Sequence, residues 1–135
     1  MSTSLLKELR FKIGEQYELN EFYLKCLEST FSNGLEYENY EYIKGDFKTL
    51  FGLKLVSNII LRYNGDLLSE IIYKLDLKDF DNLVEKLNYY LSFDRKLDTG
   101  KVNLGQTITI NSFQEFNLML YVERDLQLKV FKTLG

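Results

Sequence analysis

The chain has 135 residues and a formal net charge of −3 at pH 7, with one cysteine and no histidine, tryptophan or proline. This length predicts a single domain spanning residues 1–135, and a hydrophobic fraction of 45% predicts a folded core. Without histidine, the chain lacks histidine metal sites and most nucleophile–base pairs, and one cysteine cannot form a zinc cluster. We therefore expect a binding protein without a cofactor or metal, not an enzyme.

The cellular compartment is predicted from features that the sequence lacks. The first residues, MSTSLLKELRFKIG, lack the apolar core of a signal peptide. No stretch approaches the roughly 18 consecutive apolar residues that a membrane span needs. A lone cysteine fits a reducing compartment. We expect a soluble, cytoplasmic protein that does not contact a membrane.

The N-terminal third is predicted to contain a helix. Before it, Leu9, Phe11 and Ile13 alternate as in a strand, but Leu5, Leu6 and Leu9 also fit a helical turn, and this alternative stays open. The helix would bury one face at helical spacing, made of Leu19, Phe22, Tyr23, Cys26, Leu27 and Thr30. It should end near residues 32–34 with Gly34 at its C-cap. Cys26 would then be a small buried hydrophobe and not a nucleophile.

A strand over residues 35–43 and a central β-hairpin over residues 53–75 follow. The alternation of the strand breaks at Asn39, which a β-bulge would explain. The hairpin should turn at Asn64-Gly65 through a three-residue loop that begins at Tyr63. This register sets Asn58 opposite Glu70 and Arg62 opposite Asp66. It buries the odd-numbered face: Leu53, Leu55, Ser57, Ile59, Leu61, Leu67, Ser69, Ile71, Tyr73 and Leu75.

The second half of the chain predicts a second helix and two or three more strands. The helix over residues 76–93 buries a face made of Phe80, Leu83, Val84, Leu87 and Leu91. Three carboxylates lie at its start, where they cap a helix: Asp76, Asp79 and Asp81. Their spacing is not that of an EF-hand calcium loop. After a polar loop at 92–101, strands are expected at 102–110 and 116–122, then beyond a turn at 123–125. The predicted fold is α+β: a mainly antiparallel sheet with two amphipathic helices and a central hairpin.

The charge of the chain is concentrated in one segment. Residues 15–42 contain seven acids and a single base, Lys25, whereas residues 51–135 contain eleven acids and eleven bases. The bases are scattered singly, so direct binding of nucleic acid is not expected. An acidic, tyrosine-rich surface would attract a cationic protein and speed its encounter. The predicted partner-binding residues are Glu15, Glu18, Glu21, Glu28, Glu36, Tyr37, Glu38, Tyr40, Glu41 and Tyr42.

The chain resembles bacterial immunity proteins that neutralise polymorphic or contact-dependent toxins. It shares with them a small single domain, the absence of a catalytic constellation and a concentrated acidic, aromatic segment. The resemblance is one of type and involves no signature motif. It implies a cytoplasmic inhibitor of a basic toxin domain, for example a nuclease. Three alternatives stay open. The segment could be a solvated face that protects an edge strand. The protein could be a scaffold or adaptor that pairs through an exposed strand edge. A carboxylate-dependent enzyme is the third.

Overall fold

The computed structural model describes residues 7–32, 34–90, 104–111, 114–122 and 125–132. Ten strands and one α-helix of three turns make up most of this part of the chain. The strands are β1 (Leu24–Cys26), β2 (Thr30–Ser32), β3 (Leu35–Tyr42), β4 (Thr49–Leu50), β5 (Leu53–Lys54), β6 (Ile60–Asn64), β7 (Leu67–Leu75), β8 (Leu104–Asn111), β9 (Gln114–Val122) and β10 (Leu126–Lys132). The helix, α1, spans Phe80–Tyr90. Short 3₁₀ turns lie at Tyr17–Leu19, Glu21–Tyr23 and Leu77–Asp79.

Eight of the strands form one antiparallel sheet with the order β1-β3-β6-β7-β10-β9-β8, in which β2 also pairs with β3. The last strand, β10, lies between β7 and β9, with Val130 opposite both Ile71 and Leu118. β4 and β5 form a separate two-stranded ladder. These pairings confirm the α+β class and the mainly antiparallel sheet.

The hydrophobic core lies on one face of the sheet. Alternate side chains of β6, β7, β9 and β10 are buried there together with Leu83, Val84 and Leu87 of α1. The N-terminal segment completes the core with Leu9, Phe11 and Ile13, and the Tyr73 hydroxyl donates a hydrogen bond to the Leu9 carbonyl. Residues 7–9 are helical, as in the short-helix alternative, and residues 10–15 form no strand, although burial alternates from Leu9 to Ile13.

The helix α1 matches its prediction over the described residues. The side chain of Asp76 accepts a hydrogen bond from the Lys78 amide at 3.1 Å, as expected of a helix-start cap. Leu83, Val84 and Leu87 are buried. The predicted contribution of Leu91, the loop at 92–101 and most of the turn at 123–125 lie outside the described residues.

The central hairpin has a different turn from the predicted one. Asn64 pairs with Leu67, so the loop has two residues, Gly65 and Asp66, with φ values of 56° and 67°. Two consecutive positive φ angles are the requirement of a type I′ turn, which matches the twist of the strands. A register shift between Arg62 and Tyr63 then leaves one extra residue on β7.

That bulge changes which side chains are buried. Arg62 lies opposite Glu70 and not opposite Asp66. Leu68 is buried while Leu67 is 46% exposed, contrary to the predicted odd face. Beyond the bulge the odd residues Ile71, Tyr73 and Leu75 are buried, as predicted. The hairpin is also shorter than predicted: β6 begins at Ile60, Asn58 has no partner in the ladder, and β5 pairs with β4.

The predicted first helix is wrong. Its residues form two 3₁₀ turns and then the short strands β1 and β2, which pair with β3. The fold therefore has one amphipathic helix among the described residues and not two. Ser32 pairs with Leu35, and Gly34 lies between them at φ 79° as a hairpin residue, not as a helix cap. The helical spacing of these residues was misleading because none of the six residues of the predicted face is buried.

Candidate protein-binding surface

Four of the acidic residues lie at one edge of the sheet, where β1 and β2 run along β3: Glu28 between β1 and β2, and Glu36, Glu38 and Glu41 on β3. Four of the seven acids are exposed: Glu18, Glu28, Glu36 and Glu38. Glu21 and Glu41 are half-buried. The structure therefore places most of the predicted acidic residues at positions that a partner can reach.

Glu15 differs from the other acids because its contacts are structural. Its carbonyl accepts a hydrogen bond from the Leu68 amide, and its carboxylate accepts one from the Asn20 side chain at 3.3 Å. Burial raises the pKa of the Glu15 carboxyl because the charged form loses hydration. Its role is to join the N-terminal segment to the β6–β7 hairpin.

The tyrosines of β3 are structural, which corrects their predicted role as partner anchors. Tyr42 is buried against Phe11, with ring centroids 4.9 Å apart, and its hydroxyl donates to Asp46 at 2.8 Å. Tyr37 is buried beneath the guanidinium of Arg62, which lies 4.7 Å from the ring centroid. A partner cannot reach these two rings in this structure.

Tyr40 is half-buried in a cluster of three tyrosines. Its ring centroid lies 5.2 Å from that of Tyr17 and 5.7 Å from that of Tyr63. Its hydroxyl donates to the Glu38 carboxylate at 3.0 Å. Burial raises the pKa of the Tyr40 hydroxyl, and the Glu38 charge adds to this effect. Tyr40 thus links the exposed acids to the core.

The structure exposes a group of large apolar side chains, several of which were predicted to form the buried face of the first helix. Phe22 is 87% exposed and Phe31 is 76% exposed. Of the eleven large apolar side chains exposed in the described part of the chain, six lie between residues 19 and 35: Leu19, Phe22, Tyr23, Leu27, Phe31 and Leu35. The Asn-Gly dipeptide at residues 33–34 was the one sequence signal that could have replaced the predicted helix by a hairpin.

Acidic and aromatic side chains share one face at this edge. Phe31 lies directly opposite Glu36 in the β2–β3 ladder, and Cys26 lies opposite Tyr40 in the β1–β3 ladder. Because side chains alternate along a strand, Glu36, Glu38 and Tyr40 point to the same side. We define the edge surface as the exposed side chains of Glu18, Leu19, Phe22, Leu27, Glu28, Phe31, Glu36 and Glu38.

A hydrogen-bonded network supports this edge from the opposite face of the sheet. Arg62 donates to Asn39 at 3.0 Å, to Glu70 at 2.8 Å and to Thr30 at 2.8 Å. Asn39 donates to the Glu28 carbonyl at 2.8 Å. Asn39, where the sequence pattern broke, is thus a buried polar residue whose amide is bonded at both its oxygen and its nitrogen.

Two other features could take part in a function. A cavity of about 560 Å³ lies beside α1, lined by Glu8, Phe51, Glu85, Lys86, Asn88, Tyr89 and Tyr90. The exposed Cys26 overturns the prediction of a buried thiol. Across the part of the chain that the structure describes, no three acidic or cysteine side chains form a group suited to a metal ion.

Comparison of the chain with protein-family models, curated proteins and solved structures gave no match in any of the three. None of the helices within the described ranges is long and apolar enough to cross a membrane.

Proposed function

We propose that this protein binds a cationic protein partner through the edge surface and inhibits it, as an immunity protein neutralises a basic toxin domain. The observation that carries the proposal is the coincidence of exposed phenyl rings with the acidic excess of residues 15–42. A solvated edge needs its charges to remain soluble, but it gains nothing from the exposure of Phe22 and Phe31. The combination therefore favours a docking surface over a solvated face.

The two kinds of side chain would act on different steps of binding. The exposed acids would attract a basic surface and raise the association rate. Burial of each apolar side chain of the size of Leu or Phe contributes about 1.5–3 kcal/mol, which slows dissociation. Phe22, Phe31 and Leu19 are therefore the expected anchors, in place of Tyr37 and Tyr42.

The class of the partner follows from the charge. A domain that acts on nucleic acid needs a basic face to neutralise phosphates. An acidic surface that occupies this face would exclude the substrate by like-charge repulsion and by steric overlap. A nuclease-type toxin domain is therefore the partner that the edge surface fits best.

The test of the acids uses two matched pairs of charge reversals. Glu36→Lys with Glu38→Lys alters the edge surface, and Asp81→Lys with Glu85→Lys makes the same change of charge on exposed positions of α1. A partner captured from the native cell at low salt should associate about tenfold more slowly with the first pair and at an unchanged rate with the second. Equal effects of both pairs, measured by surface plasmon resonance, would contradict the proposal.

The apolar anchors are tested in the same assay. Phe22→Ser with Phe31→Ser should raise the dissociation rate at least about tenfold, since two large apolar contacts are lost. Tyr89→Ser is the control, because Tyr89 is 73% exposed on α1 and distant in sequence from the edge. Inhibition is then tested directly: co-expression of this protein should abolish the nuclease activity of the captured partner. Tight binding without inhibition would rule out the immunity function and indicate an adaptor.

A scaffold that pairs with its own copies is the second candidate, and the sheet topology favours it. β1 ends the strand order of the sheet, so no described strand pairs with its outer side. An open edge of this kind can add a strand from another chain. A concentration-dependent dimer in analytical ultracentrifugation that Phe31→Ser abolishes would support this candidate against the inhibitor.

A further inference from the structure

The segment that carries Leu27, Glu28 and Phe31 of the edge surface has little apolar attachment to the core. We call residues 24–32, which comprise β1, β2 and the break between them, the edge segment. None of its described side chains is buried, and those from Lys25 to Phe31 are all exposed. Both of its strands are three residues long and pair with β3. Leu24 is half-buried against the core, but from Lys25 to Phe31 hydrophobic packing cannot account for the fixed position of the segment.

The break between β1 and β2 leaves main-chain groups that β3 does not pair. Cys26 lies opposite Tyr40 and Thr30 lies opposite Tyr37. Between these two pairs the edge segment has three residues and β3 has two, so the edge segment contains one extra residue. The Leu27 amide still donates to the Asn39 carbonyl at 2.8 Å. The carbonyl of Glu28 falls in this break. It accepts a hydrogen bond from the Asn39 side chain at 2.8 Å, which satisfies a main-chain group that the ladder leaves free.

The same network reaches the middle of the sheet. The Thr30 hydroxyl accepts from Asn39 at 3.3 Å and from Arg62 at 2.8 Å. Arg62 also donates to Glu70 on β7, which forms an ion pair with Lys129 on β10 at 3.7 Å. The side chains of Arg62 and Glu70 are each 16% exposed, so water competes little for these contacts. The edge segment is thereby bonded to strands that form the core.

We infer that Asn39 and Arg62 are positioning residues that hold the edge segment in one conformation and so preorganise the part of the edge surface that it carries, which is Leu27, Glu28 and Phe31. Neither side chain is part of that surface. Without them the segment would sample several conformations, and the apparent affinity for a partner would fall in proportion to the fraction that remains competent. This consequence for binding rests on the proposed function, whereas the ordering of the segment does not.

Asn39→Asp tests the ordering without a partner. The new carboxylate keeps the acceptor for Arg62, loses both donors to the edge segment and repels the Glu28 carbonyl. Asn64→Asp is the matched control, because the Asn64 amide also donates to a main-chain carbonyl, that of Glu36, at 2.9 Å. We expect hydrogen exchange of the Leu27 amide to accelerate roughly tenfold in Asn39→Asp and to stay unchanged in Asn64→Asp.

Thr30→Val provides a second, gentler variant. It removes the hydroxyl that receives both donors but keeps a β-branched side chain at an exposed strand position, so folding is not at risk. Thr49→Val, at an exposed position of β4, is its control. The Leu27 amide should again exchange faster, while amides of β7 keep their protection.

The inference is overturned if both Asn39→Asp and Thr30→Val leave exchange of residues 24–32 unchanged, or if protection falls equally in β7 and in the edge segment. Binding is measured separately with the captured partner. Faster exchange together with unchanged affinity would overturn the preorganising role, and loss of affinity in the edge-surface variants would still support the proposed function. Loss of affinity in none of the variants would instead contradict the proposed function.

Discussion

The solvent exposure of Cys26 depends on the secondary-structure element to which it belongs. On an amphipathic helix its position would be internal, but on β1 it lies at the outer strand of the sheet, where the thiol is exposed. Its Sγ atom makes one hydrogen bond, to the carbonyl of Leu27 at 3.4 Å. The thiol is therefore open to solvent in the folded state.

We expect Cys26 to react with a water-soluble disulfide reagent in the folded protein at a rate within about tenfold of that in denaturant, because access controls labelling at this site. Cys26→Ser should change the free energy of unfolding by less than about 0.5 kcal/mol, as is usual for exposed positions. The reaction is followed by absorbance of the released thiolate. Labelling that occurs only after unfolding would contradict the exposed position.

At the scale of elements, the β6–β7 hairpin shows that one extra residue decides which side chains form the core. The type I′ turn at Gly65-Asp66 sets an even–odd register next to the loop, and the bulge then restores the odd–odd pairing. The bulge is needed because the odd residues from Ile71 to Leu75 face the core. Without it, either the turn geometry or the apolar face would be wrong.

A pair of adjacent leucines tests this register. Leu68→Ala should lower the free energy of unfolding by roughly 2–5 kcal/mol, since Leu68 is 1% exposed and its truncation leaves a cavity. Leu67→Ala should cost less than about 1 kcal/mol, because Leu67 already contacts water. Urea denaturation of both variants provides the measurement. The opposite order of the two costs would support the three-residue loop instead.

At the scale of the whole molecule, buried tyrosines make the fold sensitive to alkali. Burial raises the pKa of Tyr63 from 10.0 to about 12 and also raises the pKa of Tyr73 well above its usual value, because a phenolate cannot be hydrated in the core. Below pH 10 both folded and unfolded states keep these protons, so the stability is complete. Above pH 10 the unfolded chain loses them first, and the free energy of unfolding falls.

For Tyr63 alone this loss should reach roughly 2 kcal/mol by pH 12. Thermal unfolding measured from pH 9 to pH 12 should therefore show a shallower decline in Tyr63→Phe than in the original chain. Tyr89→Phe is the control, because the exposed Tyr89 ring meets water in both states. A decline of equal slope in all three proteins would show that Tyr63 does not control the alkaline transition.

Sequence reasoning predicts correctly those elements in which the apolar residues are also the buried residues. The helix α1 and the strands β6, β9 and β10 are such elements, as is β7 beyond its bulge, because each places one regular face on the core. The acidic excess and the absence of histidine are likewise readable without a structure.

The conformation of the first third of the chain depends on tertiary contacts and could not be predicted from its local pattern. Residues 19–30 have helical spacing, but main-chain pairing with β3 and the Asn39–Arg62 contacts outweigh that local preference. The position of β10 between β7 and β9 was equally inaccessible, since strand order depends on which faces and edges meet. Side chains such as Phe22 and Phe31 therefore became surface residues. Periodicity reports where apolar residues recur, but only packing decides whether anything covers them.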